Sequence, residues 1–194
     1  MDKILELYKT FLDPMKRHKR YSVLSDGSRE SIADHSWSVS VLALKLGDFF
    51  QWEETDELIK YLLLHDLDEA VIGDIPYNTQ KTNPGIVRVR KAANKATLDL
   101  LPNSLKTYMR SSNLSKRTKA LAKFCDKLDW TLQTITPYEI GSVFETVQMQ
   151  SHYLDEFFYK SRTLFKDSTA GELEFLDELE EILKNYTKRE VANV

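Results

Sequence analysis

Apolar residues along this chain recur mostly at spacings of three and four rather than two, a pattern that predicts helices throughout and no sheet. The first helix is expected over about residues 2–12, with Ile4, Leu5, Tyr8 and Leu12 on one face and Pro14 marking its exit. After a loop through Asp26 and Gly27, a second helix is expected over about 30–50. Its stripe is Ile32, Val39, Leu42, Leu46 and Phe49, and His35 lies in that stripe. A third, over about 56–67, carries Leu58, Tyr61 and Leu62 and brings His65 onto the same buried face.

Gly73, Pro76 and Asn78 make residues 71–84 read as a loop, followed by helical patterns over about 87–101 and 104–110. A long helix over 115–135 has Leu121, Cys125, Leu128 and Leu132 as its core stripe, contains Asp126 and Asp129, and ends before Pro137. The C-terminal helices occupy 139–188: one over about 139–164, and one over 173–186 preceded by a Thr169 and Glu172 capping box. The acidic run from Glu172 to Glu181 reads most simply as the solvated face of an amphipathic helix, and no linker or internal repeat divides the chain. The expectation is one all-α domain spanning residues 1–194, a helical bundle.

Composition narrows the function classes. With 42% hydrophobic residues in 194, the chain can bury a core of its own. Lys plus Arg number 27 against 30 Asp plus Glu, a balance that disfavours bulk nucleic-acid binding. A single cysteine cannot form an internal disulfide, no basic-then-apolar leader follows Met1, and no apolar run approaches the roughly 20 residues that span a bilayer. A cytoplasmic protein without a membrane partner is expected.

The informative stretch is Tyr61-Leu-Leu-Leu-His65-Asp66-Leu-Asp68-Glu69-Ala-Val-Ile-Gly73-Asp74-Ile-Pro76, where an apolar helix ends in one imidazole and four carboxylates. Carboxylates crowded at a buried helix end repel one another and lose hydration, and a divalent cation is the usual remedy. Mixed imidazole and carboxylate donors suit zinc, manganese, iron or cobalt better than calcium. One His-Asp pair supplies too few ligands. His35, about 30 residues upstream, and Asp126, about 60 downstream, are the nearest donors at core-facing positions of other helices, so four ligands from three helices could converge in a bundle. Asp129, one turn beyond Asp126, is the rival for the last place or a partner behind the ligands.

The set His35, His65-Asp66 and Asp126 resembles the H...HD...D signature of the HD-domain metal-dependent phosphohydrolases, over about residues 15–145. Within them it is similar to the bacterial 5'-deoxynucleotidases, whose pattern has an Arg 15 residues before the first His, then E-H-S, then H-D-x-x-E-x-x-x-G-D-x-P. Arg20, Asp34-His35-Ser36 and the His65 to Pro76 stretch match it, with Asp34 in place of Glu. The layout also resembles small phage-type deoxynucleoside triphosphohydrolases.

The resemblance implies a site. His35, His65, Asp66 and Asp126 would hold one divalent ion (Co, Mn, Zn or Mg), and the family context of Ala-Lys-Phe-Cys-Asp126-Lys-Leu favours Asp126 over Asp129. Glu69 and Asp74 would handle the attacking water and the leaving oxygen as catalytic groups, their roles interchangeable. Arg20 would hold the substrate phosphate, although it also belongs to the basic run Lys16 to Arg20. Tyr21, where the deoxynucleotidases carry a Trp, and Val23 would line the sugar and base pocket. Lys81 adds positive charge suited to a phosphate chain, whereas Arg88, Arg90, Lys91 and Lys95 read more simply as an exposed helix face.

The expected activity is therefore 5'-deoxynucleotidase-like, converting a deoxynucleoside monophosphate to deoxynucleoside and phosphate. The alternative is a triphosphohydrolase releasing intact triphosphate from a dNTP, with dATP among the candidates. A more remote reading is a catalytically silent nucleotide-sensing HD protein. Relatives commonly assemble, so the resemblance also implies a homo-oligomer, a dimer or larger.

Overall fold

Two apolar clusters organise the helices, and the stretch rich in His and Asp runs along the seam between them. The computed structural model describes residues 2–20, 30–75, 77–135, 143–165 and 169–192. Among these there is no strand, and one isolated antiparallel bridge pairs Lys19 with Ser31. The all-α expectation holds.

The larger cluster is built from α3 (Ile32–Phe49), α4 (Thr55–Leu64), α9 (Lys116–Ile135), α10 (Val143–Leu164) and α11 (Ala170–Ala192). Val39, Ala43 and Leu46 of α3 meet Leu58 and Leu62 of α4, Leu121, Phe124, Cys125 and Leu128 of α9, and Leu154, Phe157 and Phe158 of α10. The i, i+4, i+7 spacing of these residues is what presents one apolar stripe per helix to a common centre. Gly47 allows α3 and α4 to close on each other, since a Cβ there would lie 2.4 Å from Thr55 Oγ1. Thr169 and Glu172 form the expected reciprocal cap at the start of α11.

The smaller cluster joins Phe11, Met15, Ile32, Leu67, Ala70, Leu101 and Met109. It draws on α1 (Asp2–Leu7), α2 (Asp13–Arg17), α5 (Glu69–Ile72), α7 (Pro84–Leu100) and α8 (Asn103–Met109). Ile32 belongs to this cluster and Val39 to the other, with His35 between them; Leu62 and Leu67 likewise flank His65 and Asp66.

Several expectations are corrected. The first helical segment does not stop at Pro14 but continues to Arg17, through a wide turn over Tyr8–Leu12 in which the Asp13 N–H reaches back to Tyr8 O. Pro14 follows directly and has no N–H to leave unpaired. That turn brings Leu7, Phe11 and Met15 to the interior, whereas Ile4, Leu5, Tyr8 and Leu12 are exposed. Phe49 is exposed as well and packs its ring against Phe50 and Phe175 instead of entering the core. Residues 71–84 are not all loop: α5 extends to Ile72, and α6 (Tyr77–Thr82) lies within them. α7 begins earlier than periodicity suggests because Pro84 opens it and the Asn83 side chain accepts from Gly85 N–H.

Candidate active site

Three helices deliver the candidate donors to one point. His35, on α3, is fully buried, and its Nδ1 lies 2.7 Å from Asp129 Oδ2. A carboxylate can only accept, so Nδ1 carries the proton and Nε2 faces the seam. His65, which caps the end of α4, is fixed in the same sense by donating from Nδ1 to Leu62 O at 2.7 Å. The four atoms left facing inward form a ring in which nitrogen and oxygen alternate. His35 Nε2 is 3.1 Å from Asp126 Oδ1, which is 3.9 Å from His65 Nε2; His65 Nε2 is 3.2 Å from Asp66 Oδ2, which is 3.8 Å from His35 Nε2.

The electrostatics ask for positive charge. Burial pushes His35 and His65 down, but the carboxylates prevail: hydrogen bonds to Asp126 and Asp129 raise His35, and the negative charges of Asp66 and Asp126 raise His65 well above its ordinary value. Desolvation would raise Asp66 and Asp126, yet the imidazoles hold both below the ordinary carboxylate value, Asp126 far below. Asp126 lies at the open side of the ring, its side chain 40% exposed.

Behind His35, Asp129 Oδ2 also accepts from Gln133 Nε2 at 2.8 Å, and Gln133 donates to Glu30 Oε2 at 2.7 Å. Asp129 thus touches His35 from the far side of the imidazole. The Lys19 and Ser31 bridge lays 18–20 along 30–32, through Arg20 N–H to Glu30 O at 2.9 Å and Ile32 N–H to His18 O at 3.1 Å. Arg20 consequently borders the site, its Nε 3.2 Å from Glu30 Oε1 and its Nη1 3.7 Å from Asp66 Oδ2.

Glu69 opens α5 and is buried, with Oε1 3.3 Å from Arg90 Nη2 and Oε2 without a hydrogen-bond partner. Burial, with the Asp66 and Asp74 charges, pushes its carboxyl up to about 9, against the opposing pull of Arg90 and Arg20. Asp74 follows Gly73, whose φ of 75° and ψ of 166° suit glycine alone and turn the chain away from α5. Tyr21 and Val23 lie outside the described residues, as does the Lys81 side chain on α6. Arg88, Lys91 and Lys95 are exposed as expected, but Arg90 is not part of that face and turns inward. The pattern held a signal for this: Ile86, Arg90, Ala93 and Thr97 share one stripe, and Ala93 and Thr97 are buried. Glu30 and Gln133 lie outside the expected site, and Asp68, already one of the carboxylates of the informative stretch, meets Arg90 there.

A model of the HD domain matches residues 12–191. The chain belongs to the HD-domain family. Among curated relatives, a 5'-deoxynucleotidase of Xenopus laevis is 27% identical over 165 residues, covering 84% of this chain and 75% of that protein. A 5'-deoxynucleotidase of Pasteurella multocida is 29% identical over 128 residues, covering 59% of this chain and 66% of that protein's length. A conserved hypothetical protein from Pyrococcus furiosus superposes with a TM-score of 0.58 at 26% identity, over 95% of this chain and 98% of that one. An HD phosphohydrolase of cyanophage S-2L, bound to dA and one catalytic Zn2+ ion, shares the fold with a TM-score of 0.62 at 18% identity, over 90% of this chain and 93% of that one.

HD phosphohydrolases depend on a metal, and the residues here fit one. His65 Nε2 is buried and has no hydrogen-bond partner, although its other nitrogen is engaged. His35, His65 and Asp126 bring ligand atoms within 4.8 Å of one another, with Asp66 Oδ2 beside both imidazoles. Donors each about 2.0–2.2 Å from a shared ion stand roughly 3.0–3.6 Å apart, close to the separations found.

Proposed function

We propose that this HD-domain protein hydrolyses the 5' phosphoester of 2'-deoxynucleotides, converting a deoxynucleoside monophosphate and water to deoxynucleoside and phosphate. The observation that carries the reading is the ring of His35, His65, Asp66 and Asp126, with the buried Glu69 carboxyl tied through Arg90 to Asp66 and within reach of the Asp74 charge. The deoxynucleotidases among the relatives support the substrate class.

In this reading His35, His65, Asp66 and Asp126 hold one divalent ion, with Co, Mn, Zn and Mg as candidates. The ion supplies Lewis acidity and neutralises phosphoryl charge. Arg20 offers its planar fork to the phosphate oxygens from the rim of the ring. Glu69 and Asp74 share the proton traffic: one takes a proton as the water oxygen bonds to phosphorus, and the other gives one to the departing 5' oxygen. Tyr21 and Val23 line the sugar and base pocket, and Lys81 adds charge for the phosphate.

The triphosphohydrolase alternative calls for cations beyond Arg20. Arg90 is taken up by carboxylates and Arg88, Lys91 and Lys95 are exposed, which favours the shorter phosphate. The same reading takes residues 1–194 as one domain in a cytoplasmic homo-oligomer. The exposed apolar stripe Trp37, Val41 and Leu44 on α3 supports assembly. No helix among the described residues is long and apolar enough to cross a membrane.

The test is incubation with the four dNMPs and four dNTPs under Mn2+, Co2+, Zn2+ and Mg2+, with chromatography of products. Phosphate and deoxynucleoside from dNMPs are expected. Triphosphate from a dNTP with dNMPs untouched replaces the reading with its alternative, and nucleotide binding without turnover under any metal leaves a silent sensor.

A further inference from the structure

Arg90 joins three carboxylates to a neighbouring helix. From the middle of α7 its guanidinium lies 3.3 Å from Glu69 Oε1, 3.5 Å from Asp66 Oδ1 and 3.8 Å from Asp68 Oδ2. On its other side Nη1 donates to Gln80 Oε1 on α6 at 2.9 Å, and Gln80 Nε2 donates to Ile75 O at 2.7 Å. One side chain therefore links the end of α4, the start of α5, the turn after Asp74 and α6.

The carboxylates need such a partner. Asp66, Asp68 and Glu69 are 7%, 2% and 4% exposed, and their carboxyl groups stand within four residues of one another. Asp66 divides its two oxygens: Oδ2 faces the imidazoles, and Oδ1 faces Arg90. Fixing Oδ1 fixes the direction of Oδ2. A planar guanidinium can engage Glu69 and Gln80 with different nitrogens at once, which an ammonium on a flexible stem does not reproduce.

We propose that Arg90 is a positioning residue of the site, orienting the Asp66 and Glu69 carboxyl groups and, through Gln80, tying α6 to Ile75, next to Asp74. The inference rests on the hydrolase reading above and adds to it a residue that touches neither substrate nor ion. It assigns Arg90 to geometry rather than to phosphate binding, so its loss acts on kcat and metal affinity more than on KM.

The experiment compares the full chain with Arg90→Ala, Arg90→Lys and Gln80→Ala. Three readouts are taken: steady-state kinetics on the deoxynucleotide the parent cleaves, Mn2+ affinity by calorimetry, and limited proteolysis across residues 73–83. Arg90→Ala is expected to weaken Mn2+ binding about 10-fold or more. It should lower kcat by at least a similar factor with KM changed much less, and added guanidinium ion should restore part of the rate. Gln80→Ala should speed cleavage across 73–83 and leave Mn2+ affinity near the parent's. Arg90→Lys keeps the charge and should fall between parent and Ala, so it carries the test if the Ala variant does not fold.

Parent-like kcat and Mn2+ affinity in the Arg90 variants would overturn the proposal. A rise confined to KM would also overturn it and make Arg90 a phosphate contact. If the parent cleaves no deoxynucleotide, the hydrolase reading fails by itself, and the Mn2+ and proteolysis measurements still decide the role of Arg90.

Discussion

Asp129 and His35, 94 residues apart in sequence, share a 2.7 Å hydrogen bond that leaves the imidazole Nε2 directed at Asp66 and Asp126. A carboxylate behind a histidine fixes its tautomer and ring orientation and raises its basicity as a ligand. Asp129→Ala should therefore weaken Mn2+ or Zn2+ binding about 10- to 100-fold in calorimetry, with the helical circular dichroism kept. Unchanged affinity would remove Asp129 from the site.

Glu69 separates from the donors in a second variant. Glu69→Gln keeps the shape and the Arg90 contact but can neither take nor give a carboxyl proton. It should lower kcat about 100- to 10,000-fold while metal affinity stays within a few-fold of the parent. Loss of metal binding instead would make Glu69 a ligand.

Adding and removing the ion should move the melting temperature. The proposed donors come from α3, the α4 end and α9, which meet only in the folded chain. At a free concentration about 100 times Kd, an ion that binds only the folded state stabilises it by about 2.7 kcal/mol. For a chain of this length that corresponds to roughly 5–10 °C. Scanning calorimetry with Mn2+ and with chelator should show the difference in the parent and lose it in His65→Ala.

Gly47 tests the packing that brings His35 and His65 together. A Cβ there would meet Thr55 Oγ1 at 2.4 Å and Cγ2 at 2.6 Å, so α3 and α4 would have to move apart. Gly47→Ala should cost about 1–3 kcal/mol, the usual range for overpacking, and appear as a lower denaturation midpoint. An unchanged midpoint would mean that the two helices yield freely.

Charges between α10 and α11 set a pH and salt dependence. Arg162 meets Asp177 and Glu180 at 2.6 Å each, and Lys184 meets Asp155 at 2.7 Å and Glu180 at 2.6 Å. Burial alone would raise Glu180, but Lys184 and Arg162 outweigh it and hold its carboxyl below the ordinary 4.5. Its contribution is complete above that value and is lost as pH falls through the depressed one. Arg162→Ala should cost up to about 1 kcal/mol at neutral pH and low salt, shrinking with added salt and in acid.

Periodicity disclosed α3, α4, α9 and the C-terminal helices because each presents a regular apolar stripe, and it placed His35 and His65 inward for the same reason. It misread the first helical segment because the wide turn at Tyr8–Leu12 changes which residues face inward, an effect that no regular helical count contains. Arg20 reaches the site through the pairing of 18–20 with 30–32, a contact without periodic signature. Arg90 was legible in principle, since it shares the stripe of Ala93 and Thr97, but its charge argued for solvent. Only the carboxylates of Asp66, Asp68 and Glu69, gathered by folding, explain why it points the other way.

Cys125 sits beside Asp126 on α9, fully enclosed, and its surroundings push the thiol up to about 12. With no other cysteine in the chain, a maleimide has a single target, and that target stays out of reach while α9 keeps its place. The rate of labelling thus becomes a built-in clock for the opening of the bundle, read without any engineered probe, one residue away from the proposed metal donor that should slow it when an ion is bound.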